Sequence, residues 1–95
     1  MNIQAIHSSD KEVSSKVLFT GTSGKVIALQ ILAEGPLKAH QTAAAALLVL
    51  ISGNVIFENE NGVHAHLFPG DYIEIEANVK HWVKGVVDSQ LLLLQ

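Results

Sequence analysis

The chain contains no cysteine and no arginine, and among its 95 residues it has only two prolines, three Phe, one Tyr and one Trp. Without cysteine there is no disulfide, no thiolate metal site and no thiol nucleophile, and the composition suits a reducing cytoplasm. Without arginine there is no guanidinium fork to hold a carboxylate or phosphate in a bidentate way. A strongly anionic ligand is therefore disfavoured, and the six lysines remain as point charges. Nine acidic residues outnumber them, giving a formal charge of −3. No basic patch offers itself to a nucleic acid. Long apolar runs are missing too. The longest, Ala43 to Ile51, has nine residues, where a helix crossing a bilayer takes about 20. Met1 to Asp10 has no basic segment followed by an apolar stretch, so no secretory signal is expected. These absences predict a soluble, cytoplasmic protein with neither membrane nor nucleic-acid partners.

What is present fits one small domain spanning residues 1–95, within the usual range of about 50–250 residues. A chain of this size buries roughly 60–70% of its unfolded surface, so a core is feasible without staples. Residues 1–25 are the polar end, with Ser8-Ser9-Asp10-Lys11-Glu12 and Gly21-Thr22-Ser23-Gly24 reading as turns. Val26 to Ala33 is β-branched and apolar and is stopped by Glu34-Gly35-Pro36, which predicts a strand. Leu47 to Ile51, Val55 to Glu58, Val63 to Phe68, Tyr72 to Glu76, His81 to Val87 and Gln90 to Leu94 predict six more. Between them, Asn61-Gly62 suits the positive φ of a hairpin turn, and Pro69-Gly70-Asp71 makes another turn. Short strands broken by Gly, Pro and Asn every 8–12 residues point to a sandwich or barrel. One segment objects: Gln41 to Leu50 is rich in Ala and Leu, the best helix formers. Val49-Leu50-Ile51 at its end and the spacing from His40 to Gly53 favour strand instead.

That spacing carries a resemblance. Gly35-Pro36-Leu37-Lys38-Ala39-His40 is followed by Gln41-Thr42, then Ala46 and Gly53. Downstream come Pro69-Gly70-Asp71-Tyr72-Ile73-Glu74-Ile75 and His81-Trp82. In order and spacing the two stretches resemble the paired motifs of the small cupins, and the resemblance covers about residues 26–94. It implies an all-β double-stranded β-helix, or jelly roll, of about eight to ten strands with little or no helix. It also implies a metal position, because that family places imidazoles at His40 and His81. Here the pattern departs: Thr42 stands where a second His is usual, Ala46 where a Glu is usual, and Glu76 where a Pro is usual.

On a strand, residues two or four apart share a face. Positions 40, 42 and 46 therefore line one face if the strand is unbroken, and His81 approaches from a neighbour. Two neutral imidazoles fall short of the three protein ligands of a catalytic zinc and of the two His plus carboxylate of non-haem iron. The expectation is no cofactor, with a divalent transition metal on His40 and His81 as the alternative, which would need a third ligand such as Gln41, Gln30 or a distant acid. Either His can otherwise be an inert, hydrogen-bonded ring or an acid or base.

Gln30 is the only polar residue between Val26 and Ala33. It either faces the barrel pocket as a ligand-orienting group or bonds neighbouring backbone. His64-Ala65-His66 is a genuine His-x-His, but alternation with Leu67 turns both rings outward. Glu74 and Glu76 read as solvated, and Asp71 as a turn residue. Leu91 to Leu94 is apolar on both faces, and with Leu47, Val49 and Ile51 it predicts a covered outer surface: a homodimer, or a strand lying under the first 25 residues.

The sequence thus predicts a small-molecule-binding or sensory protein with an incomplete metal site. His40, Thr42, Ala46, His81 and Gln30 are its candidate ligand-binding residues, and Thr42, Ala44, Ala46 and Leu48 its small, uncharged lining. The rivals are a metal-dependent oxygenase, isomerase or lyase and a structural dimer without ligand.

Overall fold

A computed structural model describes residues 1–7 and 11–95; the Ser8 to Asp10 part of the first expected turn lies outside them. Nine strands form where β-branched and apolar residues alternate with polar ones: β1 Val13–Thr20, β2 Lys25–Ile31, β3 Pro36–His40, β4 Ala46–Ser52, β5 Val55–Asn59, β6 His64–Leu67, β7 Tyr72–Ile75, β8 His81–Gly85 and β9 Ser89–Leu94. No helix occurs among the described residues, and so none long and apolar enough to cross a membrane. The strands build a five-stranded sheet in the order β1-β2-β9-β4-β7 and a four-stranded sheet in the order β3-β8-β5-β6. Every pairing is antiparallel. This is the all-β jelly roll expected from the sequence.

The core sits between the two sheets. Leu29, Ile31, Ala46, Leu48, Leu50, Ile75 and Leu91 come from the larger sheet, and Val55, Phe57, Leu67 and Val83 from the smaller. Alternation is the reason. In β4 the inward residues Ala46, Leu48 and Leu50 are buried while Leu47 and Val49 are only half-buried. The helix-forming Ala-Leu segment is thus strand from Ala46 onward, because that apolar face is covered by the opposite sheet.

Cross-strand register organises the outer face of the larger sheet into rows. Phe19, Val26, Leu94, Leu47 and Glu74 form one row across all five strands. Lys16, Ala28, Leu92, Val49 and Tyr72 form the next. Ser14, Gln30, Gln90 and Ser52 form a third, which is entirely polar. The first seven residues lie against part of this face, since His7 Nδ1 and Ser14 Oγ are 2.8 Å apart.

Two features correct the sequence reading. Residues 13–20, placed in the polar end and outside the barrel's expected bounds, form β1, because pairing to β2 satisfies their backbone. Glu34-Gly35-Pro36 reads as a stop and no strand is expected directly after it, yet Pro36–His40 form β3: Pro36 sits at the first position of an edge strand, where its missing N–H costs least.

Candidate functional site

His40 and His81 are brought together by register. They are paired residues of β3 and β8, and their rings lie 4.2 Å apart, centre to centre, at 60°. His81 opens β8 on its inward side, in line with Val83, and is 2% exposed. The Phe57 ring stacks beside it at 5.8 Å and 18°. Asn59 is its partner on the other flank; the Oδ1 of that residue accepts the backbone N–H groups of Asn61 and Val63 at 2.9 and 3.1 Å and so closes the β5–β6 hairpin. His40 is exposed at the barrel opening, with its Nδ1 3.0 Å from the Lys38 carbonyl. As that ring nitrogen donates, the His40 Nε2 is left with a lone pair whenever the ring is neutral.

Burial lowers the His81 pKa from the ordinary imidazole value, and the neighbouring His40 lowers it further; the Val79 backbone acts weakly in the opposite direction. Among the described residues, no hydrogen bond of good geometry reaches the buried His81 Nδ1. The site therefore sets a buried ring, whose enclosure favours the neutral form, against a second, exposed ring. The sign of the linkage follows. As pH falls through the imidazole range, the unfolded chain takes up a proton that folded His81 resists, so stability drops. Urea midpoints are expected to fall between pH 7.5 and 5.5, and to fall less in His81→Phe. An equal slope in both proteins would remove His81 as the cause.

The other sequence candidates do not converge here as one strand face. The expectation that positions 40, 42 and 46 share an unbroken strand is corrected: β3 ends at His40 and β4 begins at Ala46, and the two lie in different sheets. The intervening chain turns, tied by Thr42 Oγ1 donating to the Ala44 carbonyl at 2.8 Å and by Asn78 N–H donating to the Thr42 carbonyl at 2.7 Å. Of the expected lining, Ala44 is exposed while Ala46 and Leu48 are core. Gln30 belongs elsewhere. It stands on the outer face of the larger sheet, where its Oε1 accepts the Gln90 amide at 2.7 Å.

His64 and His66 turn outward from the smaller sheet. His64 pairs with Glu58 at 3.0 Å, and Trp82 Nε1 donates to the same carboxylate at 3.2 Å. The hydrogen bond from His64, then that from Trp82, hold the Glu58 pKa below the usual carboxylate value. His66 lies 3.0 Å from Asn54 Oδ1 and stacks on Phe68.

Among the described residues, no group of three or more His, Cys, Asp or Glu is placed to hold a metal ion. The donor set at the barrel opening is two imidazoles without a carboxylate, which does not match the ligand sets of catalytic zinc or non-haem iron.

Sequence reasoning missed Phe57 and Asn59 as site residues. Phe57 read only as a strand apolar residue and Asn59 only as part of a turn. Their partnership with His81 depends on β5 pairing with β8, whose facing residues are more than twenty positions apart in the chain.

No family model and no curated protein matches the chain. Solved structures do. A cupin superfamily protein from Desulfitobacterium hafniense DCB-2 matches with a TM-score of 0.85 at 14% identity, over 98% of this chain and 84% of that one. A RmlC-like cupin from Shewanella frigidimarina NCIMB 400 gives 0.80 at 13% identity, over 92% and 78%. A cupin-like protein from Thermotoga maritima MSB8 gives 0.78 at 19% identity, over 87% and 67%. At these identities the likeness shows the fold, which is that of the cupins, and no activity.

Proposed function

We propose that this cupin-fold chain binds a small uncharged molecule at the barrel opening, through His81 and His40, without a metal centre of its own. One observation carries the reading: a fully enclosed imidazole whose Nδ1 has no hydrogen bond of good geometry among the described residues, set against an exposed ring on the adjoining strand. A buried polar atom left without a partner costs about 1–3 kcal/mol. A ligand that supplies the missing bond recovers that cost. With no arginine in the chain, hydrogen bonds and ring contacts would fix such a ligand rather than a charge clamp. The lack of cysteine is compatible with work in the cytoplasm.

The direct test follows the imidazole C–H signals of His40 and His81 by NMR while a library of small neutral compounds is screened by thermal shift. A binder at a hundredfold excess over its dissociation constant would add about 2.7 kcal/mol. It should move both sets of ring signals together and lose its effect in His81→Phe. Binders that leave both rings unmoved would sink the reading. The metal content of untagged protein purified without chelators, read by plasma mass spectrometry, is expected to lie below about a tenth of a transition metal per chain. A value near one would restore the enzyme alternative.

We also infer a homodimer through the outer face of the five-stranded sheet. Phe19 is 64% exposed, Tyr72 69%, Ile51 42% and Leu94 36%, and register sets Phe19 and Leu94 in one row, apolar up to Glu74 at its end, with Tyr72 in the next. An apolar surface of this kind calls for a partner. Light scattering after size exclusion is expected to give twice the chain mass at micromolar concentration, and Tyr72→Lys combined with Leu94→Lys to give the monomer. A wild-type monomer would defeat the inference.

A further inference from the structure

A second site lies on the opposite side of the larger sheet from the His40–His81 pair. A cavity of about 230 Å³ is walled by Gln4, His7, Gln30, Leu32, Asp88 and Gln90. It sits over the polar row of the outer face, so its floor is built from the cross-strand pair Gln30 and Gln90 of β2 and β9. These two side chains are only 5% and 6% exposed. Two amides enclosed to that degree on the outside of a sheet are unusual, since most amide side chains stay in water. The segment carrying Gln4 and His7 covers them.

The hydrogen bonds of this site do not close. Gln90 Nε2 donates to Gln30 Oε1 at 2.7 Å, which fixes which way the Gln90 amide points. The Gln90 Oε1 on its other side is buried and has no partner. His7 Nδ1 is held by the Ser14 hydroxyl at 2.8 Å, and its Nε2 is buried without a partner as well. Asp88 Oδ1 accepts the Ala33 N–H at 2.8 Å, anchoring that wall. The two orphaned atoms are therefore an acceptor, Gln90 Oε1, and an imidazole nitrogen. When Ser14 donates to Nδ1, the imidazole proton sits on Nε2 and that nitrogen is a donor. Burial, and then the charge of Lys16, lower the pKa of His7 and favour its neutral form.

We propose that this cavity is a binding site for a small neutral carboxamide. Such a molecule gives an N–H to Gln90 Oε1 and receives His7 Nε2–H on its carbonyl, satisfying both orphaned atoms at once. Among the described residues, Asp88 is the only charged one in the lining, so an anion finds no counter-charge there. A cation would stand near Lys16, which already acts on His7 from its place in the adjoining row. The volume admits a molecule of several heavy atoms or a cluster of waters.

Acetamide is the probe, titrated into the full chain labelled with ¹⁵N, with acetate and methylammonium as charged controls. The side-chain NH₂ signals of Gln30 and Gln90 and the His7 ring signals are the readout. Acetamide is expected to shift all three saturably, at an affinity on the order of millimolar for so small a ligand. Gln90→Met should weaken it at least tenfold and leave the His40 and His81 ring signals in place. Should Gln90→Met fail to fold, His7→Phe on the covering segment serves instead, with the same expected loss. Shifts that do not saturate, shifts that persist in the variant, or a response to acetate or methylammonium equal to that of acetamide would each overturn the proposal. So would bound waters, seen by water-to-protein NOEs, that acetamide does not displace.

Discussion

Phe57→Ala is expected to cost about 3–5 kcal/mol, the usual range for an aromatic removed from a packed core. Phe57 is 1% exposed and heads the largest fully buried side chains. It lies on the central strand pair of the smaller sheet, between Val83 of β8 and Ala65 of β6. Domains of this size are stable by about 5–15 kcal/mol, so the variant approaches the edge of folding. A loss of 3 kcal/mol alone lowers the midpoint of a chain this short by roughly 12 °C or more. Calorimetry with urea titration measures the loss. The same change should free His81. Without the stacked ring at 5.8 Å, water reaches the imidazole and its pKa rises toward the ordinary value. Phe57→Leu keeps most of the volume and should lose less than half as much. Equal losses in the two variants would show that the site collapses rather than leaving a cavity.

Gly53→Ala is expected to be comparably damaging, although it adds only one methyl group. Gly53 has φ +89°, in the left-handed half of backbone space, where a side chain costs about 1–3 kcal/mol of strain. Space is also lacking: a Cβ there would run into the Ser89 hydroxyl and the Asp88 carbonyl. Those atoms cannot give way cheaply. Ser89 is fully buried, its hydroxyl accepts the Asn54 N–H at 3.1 Å and lies within donating distance of the Val87 and Asn54 carbonyls, at 2.7 and 3.0 Å, pinning the turn between β4 and β5 to β9. We expect a loss of about 3 kcal/mol or more, strain and clash together. Gly62→Ala is the control. It shares a positive φ of 88° and has nothing within 4 Å of the added carbon, so it should show the strain alone. Equal midpoints for the two variants would refute the steric argument.

These two sites also mark what the sequence could and could not disclose. Gly53 was legible, because Ser52-Gly53-Asn54 interrupts an apolar run and a turn is the simplest reason. The strands from Lys25 onward, β3 apart, were legible for the same reason: turn residues punctuate alternating ones. β1 was not, since Val13 to Thr20 mixes Ser, Lys and Thr with only scattered apolar residues, and it becomes strand by pairing with β2. The pairing of His40 with His81 was expected from motif order. Its surroundings were not, because Phe57 and Asn59 reach His81 through a register that local pattern does not encode. Gln30 shows the limit most plainly. Its polarity announced a special role, but which side of the sheet it faced depended on one residue of register.

The placement of β9 has a consequence for how the protein is made. Ser89 to Leu94 follows both β2 and β4 in sequence, yet it lies between them in the sheet, hydrogen-bonded to β2 on one side and β4 on the other. Synthesis runs from β1 forward at about 5–20 residues per second, so each emerging chain passes through an interval with β2 and β4 already out and nothing between them. During that interval both strands present bare backbone edges flanked by apolar side chains, a surface on which neighbouring nascent chains can pair wrongly. Assembly of the larger sheet must wait for the leucines of β9 to leave the ribosome.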